Sequence, residues 1–236
     1  MSLDLHLDPR QFAVAWTNTA LFTSDDESRP ALYRTALAHA TTTGLTLTTT
    51  DSYTSATARA HTEKHAGDLP NQVPPGRDLG TFLVADHDRR LHALCQFILK
   101  DAKGDNRQFC PPVRLWVKSA ETPEVPTLMP EMDRQEMVIT YRSEAVGLPI
   151  LETEFPDIAA LVDGIVGDEV GAVSLSAEIM GRFGKMKDVG GPVRCVFSGP
   201  ITPVRWQVPG DPGTEGIWMP VRDAATDKAV DVEEAA

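Results

Sequence analysis

Thr81-Phe82-Leu83-Val84-Ala85-Asp86-His87-Asp88-Arg89-Arg90-Leu91-His92-Ala93-Leu94-Cys95-Gln96-Phe97-Ile98-Leu99-Lys100-Asp101-Ala102-Lys103 decides the fold. Its first five residues form a short apolar run, which reads as a strand. From Asp86 the period changes: Leu91, Leu94, Cys95, Ile98 and Ala102 recur at three- and four-residue intervals, the buried face of a helix over about 86–103. Three further strands are predicted beyond it, at Val113–Lys118, Glu136–Arg142 and Val146–Glu152, with a proline-rich loop at Pro123–Pro130. The stretch therefore opens a unit of the order β-α-β-β-β.

Reading outward in both directions, the same order recurs. Upstream, Asp4–Leu7 alternates as a short strand, and Asp8-Pro9 supplies an N-cap followed by proline at the first helical position. A helix is predicted over 9–22, then strands at Ala31–Ala40, Leu45–Thr50 and Tyr53–His61, then a linker at Gly67–Gly80. Downstream, a strand at Ala172–Leu175, a helix over 176–187 and strands at Val193–Phe197, Val204–Val208 and Gly216–Pro220 complete a third unit. The repeat is one of pattern and not of letters. A short helix over 157–165 would add an element outside it.

The chain has 236 residues, 42% of them hydrophobic, and a net charge of −12. That acidity argues against a protein that coats nucleic acid with a uniformly basic surface. Three widely spaced cysteines, Cys95, Cys110 and Cys195, suggest neither a disulfide framework nor a metal knuckle. With no long apolar run and no signal pattern at Met1-Ser2-Leu3-Asp4, the location read from the sequence is the cytoplasm, with no membrane partner. The residues 223–236 read as a disordered acidic tail.

The basic residues gather on helices. A rotation of about 100° per residue puts Arg89, His92, Gln96, Lys100 and Lys103 opposite the apolar stripe of the second helix. The third helix carries Arg182, Lys185 and Lys187, and the first only Arg10. A solvated helix face shows the same pattern, but in an acidic protein such stripes are where phosphates would be drawn without sequence readout.

Catalytic patterns fail on inspection. His61-Thr62-Glu63-Lys64-His65 displaces the glutamate that a His-Glu-x-x-His zinc site needs, and Cys110-Pro111-Pro112 does not complete a deaminase signature. Gly181-Arg182-Phe183-Gly184-Lys185 lacks the spacing and the hydroxyl of a phosphate loop and lies within a helix. No metal, nucleotide or other cofactor and no enzymatic activity is predicted.

Four segments then carry a resemblance. Phe22-Thr23-Ser24-Asp25-Asp26-Glu27-Ser28-Arg29-Pro30-Ala31-Leu32 looks like the segment after the first helix of a beta sliding-clamp domain, and Thr49-Thr50-Asp51-Ser52-Tyr53 is similar to that family's Ala-Thr-Asp-Gly-His/Tyr turn. Phe155-Pro156-Asp157 matches the end of its middle domain, and Gly216-Ile217-Trp218-Met219-Pro220-Val221-Arg222 resembles its closing Met-Pro-Met-Arg strand. The chain thus resembles a shortened bacterial or phage-type DNA polymerase III beta clamp. The resemblance implies an α+β DNA-clamp fold, with helices lining a ring around double-stranded DNA and antiparallel sheets outside. It also implies a middle-type domain at 1–163 and half of a last domain at 164–222. A pocket for short peptide motifs of DNA polymerase and the clamp loader would be formed by Thr50, Ser52, Tyr53 and Thr54 with Ile217, Trp218, Met219, Pro220, Val221 and Arg222. Ser52 and Thr54 depart from the family's glycine and basic residue, and Trp218 from its aliphatic one. Rings of that family hold twelve helix units, so a homo-oligomer of four chains is implied, or of three if a fourth unit lies around 157–170, joined head to tail.

Overall fold

The computed structural model describes residues 3–63, 76–86, 88–104, 109–118, 135–165, 167, 173–189 and 191–221. Most of the linker, the loop at 123–130, His65, His87, Ala172, Arg222 and the tail lie outside them.

The first unit comprises β1 (Asp4–Leu7), α1 (Pro9–Ala20), β2 (Thr35–Thr41), β3 (Gly44–Thr50) and β4 (Ser55–His61). Asp8 caps α1 by accepting from Gln11 N at 2.8 Å, as its place before proline predicts. In β2, β3 and β4 the alternation is strict: Ala36, Ala38 and Ala40, Leu45 and Leu47, and Ala56, Ala58 and Ala60 are all buried. These small side chains leave room for Phe12 and Trp16 of α1 in the shared core. The predicted strand at 31–40 begins instead with a 3-10 turn at Ala31–Arg34, because Pro30 fixes the entry and Tyr33 N bonds back to its carbonyl at 3.1 Å.

The second unit comprises β5 (Asp78–Ala85), α2 (Arg90–Asp101), β6 (Val113–Lys118), β7 (Glu136–Tyr141) and β8 (Glu144–Leu151). Its helix starts four residues later than predicted. The Asp86 carboxylate accepts from Leu91 N at 3.0 Å and His92 N at 2.9 Å, while Arg89 turns left-handed at φ 54. Leu91, Leu94, Cys95 and Ile98 face the core as their spacing requires, each worth about 1.5–3 kcal/mol of burial.

The third unit comprises α4 (Ala177–Phe183), β9 (Arg194–Val196), β10 (Val204–Val208) and β11 (Asp211–Trp218), preceded by α3 (Ile158–Asp163). Its predicted first strand is not formed at Val173–Leu175. The helix at 157–165 exists, with Asp157 as cap, but it is a six-residue connection packed on β11 through Ile158, Val162 and Ile217, and no strand follows it among described residues 164–175. Among the described residues there are three helix-bearing units.

All neighbouring strands are antiparallel, in the order β1-β6-β7-β8-β5-β2-β3-β4-β11-β10-β9. The first two units exchange their leading strands: β1 pairs with β6, through Leu7↔Val113, and β5 with β2, through Ala85↔Thr35. Each leading strand also touches the end of its own unit's last strand, at Leu7↔Thr62 and Val84↔Ile150. α1 and α2 pack side by side over this closed pair. The third unit attaches by β11 to the free edge of β4, and its core of Phe183, Trp206 and Trp218 takes in Phe22 from beyond α1, stacked at 5.1 Å on Trp206.

Candidate functional site

Two surfaces gather the predicted residues. The first is built on the turn between β3 and β4. Asp51 organises it: Oδ1 accepts from Tyr53 N at 2.9 Å, Thr54 N at 2.7 Å and Thr54 Oγ1 at 2.9 Å, an Asx turn that leaves Ser52 at φ 78. Thr50 Oγ1 closes the turn by donating to Thr54 O at 2.8 Å. Ser52 thus occupies a left-handed position, which accounts for the glycine that the resembled family carries there.

From the third unit, Arg182 donates to Asp51 Oδ2 at 2.6 Å and to Thr54 Oγ1 at 3.1 Å. The side chains of this pair are 19% and 7% exposed, so Arg182 does not belong to a solvent-facing stripe as its helix position predicted. Burial alone would raise the Asp51 carboxyl, but the Arg182 guanidinium and the N–H groups of Thr54 and Tyr53 outweigh it and hold it below its ordinary value. On the other side, Arg29 donates to Asp51 O at 2.7 Å and Ser52 Oγ at 2.8 Å and lies 5.0 Å over the Tyr53 ring.

The closing strand meets this turn directly. Thr54 bridges Trp218, and Met219 N donates to Tyr53 O at 2.8 Å. The two halves predicted for the pocket are therefore adjacent. Tyr53 and Val221 are exposed and Met219 and Pro220 half-buried near the Met219 N to Tyr53 O bond, while Thr50, Thr54 and Trp218 are buried. Ile217 is buried in a cluster with Phe155, Ile158 and Val162, so α3 packs against the closing strand beside this turn. Asp51, Arg29 and α3 were not among the predicted pocket residues. The Asp-x-x-Thr spacing was the available signal for the first, and the arginine and helix come from distant sequence.

The second surface is the helical layer. Lys100, Lys103, Lys185 and Lys187 are exposed, and His92 and Gln96 half-buried. Arg89 is exposed and paired with an exposed Asp25 at 2.7 Å, a contact worth little in water. Arg10 is not a free cation: Nε and Nη2 grip both oxygens of Asp188 at 2.9 and 2.6 Å, and Nη1 reaches Ala102 O at 3.2 Å. It thereby ties the end of α2, next to Lys103 in sequence, to the segment after α4, next to Lys187. Asn18, 2% exposed, completes the tie with a reciprocal pair to the Lys187 backbone at 2.6 and 3.0 Å. A cleft of about 460 Å³ beside it is lined by Arg10, Gln11, Arg59, His61 and Asp188.

No group of His, Cys, Asp or Glu among the described residues is arranged to hold a metal. His61 ends a strand and donates its N–H to Gln11 Oε1 at 3.1 Å. No helix among the described residues is long and apolar enough to cross a membrane.

No family model and no curated protein sequence matches the chain. Solved structures do. The chain is similar to the beta sliding clamp of Caulobacter crescentus at 16% identity and a TM-score of 0.58, covering 93% of this chain and 66% of that one. It is similar to the DNA polymerase sliding clamp of Bacillus subtilis at 14% identity and a TM-score of 0.54, covering 94% and 64%. The DNA polymerase III beta chain of Streptococcus pneumoniae matches at 14% identity and 0.55, covering 94% and 65%. The chain spans just under two thirds of the length of these proteins, and over nearly all of its own length it has the fold of the bacterial DNA polymerase III beta sliding clamps.

Proposed function

We propose that the chain is a clamp-like processivity factor and not an enzyme: a homo-oligomer, acting in the cytoplasm, whose helical layer faces duplex DNA and whose outer groove docks short peptides of DNA polymerase and the clamp loader. In this reading residues 1–163 act as a middle-type clamp domain and 164–222 as half of a last one. The observation that carries it is that Lys100 and Lys103 at the end of α2 and Lys185 and Lys187 after α4 are all exposed in a protein with net charge −12, while Arg10 bonds to Ala102 O and to Asp188, the sequence neighbours of Lys103 and Lys187. Such lysines attract phosphates as point charges without reading bases, which is what sliding requires. The groove at Tyr53, Met219, Pro220 and Val221 offers an apolar rim with backbone groups near by, a surface suited to short linear motifs.

The test is retention on DNA. The wild-type chain, loaded on nicked circles, should stay bound and should run off when the circle is linearised. Replacing Arg89, Lys100 and Lys103 together by alanine should weaken binding and reduce the slope of log K against log salt by roughly 2–3. Equal retention on linear and circular DNA would favour the second reading, a clamp-like regulatory protein that binds clamp partners without closing a ring. The ion-paired Arg10 and Arg182 are the observation in its favour, since they leave fewer free cations than the sequence promised.

A further inference from the structure

Lys185 and Lys187 follow α4, Lys100 and Lys103 lie at the end of α2, and all four are exposed. No ion pair among the described residues uses any of them. The carboxylates beside them in sequence are already taken. Asp188 is gripped through both oxygens by Arg10, and Asp101 accepts from Arg142 Nε at 2.7 Å and from the Tyr141 hydroxyl. Arg10 also bonds to Ala102 O at 3.2 Å, so the end of α2 and the segment after α4 meet at one guanidinium and their lysines belong to one surface.

Complementary charge follows the closing strand. Asp223-Ala224-Ala225-Thr226-Asp227-Lys228-Ala229-Val230-Asp231-Val232-Glu233-Glu234-Ala235-Ala236 carries five carboxylates against one lysine and has no aromatic residue. A stretch of this composition interacts through its charges. Asp223, Asp227, Asp231 and Glu234 recur at spacings of four, four and three residues, at which side chains share one face of a helix. The described chain reaches this stretch at the base of α4. Val221 N donates to Ser174 O at 2.7 Å, and Ser176, two residues further on, caps α4. From that cap α4 rises roughly 10 Å over its seven residues. Lys185 and Lys187 come within the next four, with Lys185 N bonded back to Arg182 O at 3.0 Å. The fourteen residues 223–236 reach up to about 46 Å, well beyond that distance.

We propose that the lysine surface is the docking site of residues 223–236 of the same chain, which run back along α4 and set their carboxylates against Lys185, Lys187 and Lys103. Each exposed ion pair is weak by itself, but a short tether holds the acids at an effective concentration in the millimolar range, so several weak pairs close together at low salt and open as salt rises. Glu178, exposed on α4 one turn past the cap, opposes the first carboxylate, so the acids from Asp227 onward contribute most. The groove at Tyr53 is a poorer seat for an acidic segment. Its arginines are engaged, Arg182 with Asp51 and Arg29 with Asp51 O and Ser52, and Asp26 stands 3.9 Å from Arg29. The contact rests on these charges and on the anchor at Ser174, and it stands whether or not the layer faces DNA. If it does, residues 223–236 are an intramolecular competitor that a duplex, with one charge per about 1.7 Å, displaces.

A water-soluble carbodiimide, which joins a carboxylate to an amine at contact distance, tests this on the full chain. At about 0.05 M salt, peptide mapping should find Asp227, Asp231, Glu233 or Glu234 joined to Lys185, Lys187 or Lys103 roughly tenfold more often than to Lys118 at the end of β6. At about 0.5 M salt most of this coupling should be lost, because the screening length falls to roughly 4 Å. A mixture of isotope-labelled and unlabelled chains should give no mixed products, since the contact forms within one chain. Coupling that is absent, that favours Lys118, that is indifferent to salt or that joins labelled to unlabelled chains would overturn the proposal. Retention of duplex DNA is measured on the same protein. Cross-links without retention would leave this contact standing and remove the DNA reading, whereas retention without cross-links would do the reverse.

Discussion

Arg182→Met is the perturbation with the clearest consequence. It removes the partner of a carboxylate that is 7% exposed, while Asp51 keeps its three bonds from Tyr53 N, Thr54 N and Thr54 Oγ1. Stranding a buried charge in this way costs about 3–5 kcal/mol; because Arg182 is itself 19% exposed, water reaches part of the gap and roughly 3 kcal/mol is the expected loss. Asp51→Asn should cost a similar amount by turning an amide N–H toward the guanidinium. The double variant should be less damaged than the sum of the two by about 2 kcal/mol, since each single change leaves the same pair half-made. Urea melts of all four chains measure this. The pH dependence gives a second readout. The Asp51 carboxyl titrates below its ordinary value in the folded chain, so its contribution is present above the unfolded value, about 3.9, and is lost as the pH falls through the lower folded one. The deficit of Arg182→Met should therefore be constant from pH 7 down to about 5 and shrink under strongly acid conditions. Additive variants, or a deficit indifferent to acid, would show that the pair does not hold the turn.

Two further outcomes concern the groove and the joint between units. A Cβ at residue 216 would collide with the Ser55 carbonyl oxygen and stand 2.8 Å from the Trp206 ring, so Gly216→Ala should separate β11 from β4, cost about 3 kcal/mol or more, and expose the connection at 152–157 to protease; a wild-type digestion pattern would contradict that. Tyr53→Ala with Met219→Ala should reduce binding of a polymerase-tail peptide roughly tenfold or more by titration calorimetry while leaving the native mass unchanged.

How much of this was legible follows from the range of the interactions. The elements of the first two units follow from local periodicity, and the Asp8 cap and the strands from Ala36 to Ala60 fall where alternation puts them. The start of α2 was misplaced because Asp86 caps from four residues upstream, outside the usual spacing. The leading strand of the third unit was read from Ala172–Leu175, yet a strand needs a neighbour, and in the other units that neighbour comes from a sister unit. At the site, the letters point to the turn at Asp51 and to the closing strand. Their contact joins distant segments, and the diversion of Arg182 toward Asp51 joins residues 131 apart in sequence, which no helical rotation rule can reveal.

The chain assigns its two cationic side chains to different tasks. Several arginines hold elements together through carboxylates, two of them as forks: Arg10 on Asp188 joins the first unit to the third, and Arg114 on both oxygens of Asp4, at 2.9 and 2.8 Å, fastens the exchanged strand β1. Arg182 on Asp51 joins the third unit to the turn, and Arg142 on Asp101 ties the turn between β7 and β8 to the end of α2. A planar guanidinium matches a carboxylate in two places and is weakly hydrated, so it suits such fixed joints; an ammonium is compact, strongly hydrated and free to rotate. The exposed positions of the helical layer are left mainly to Lys100, Lys103, Lys185 and Lys187. Under the proposed function, a surface that holds a polyanion and still lets it slide is better made from mobile point charges than from forks that lock one phosphate in register. Exchanging Lys103 and Lys187 for arginine should therefore preserve affinity for DNA but slow diffusion along it, which single-molecule tracking would detect; faster or unchanged diffusion would refute this division of labour.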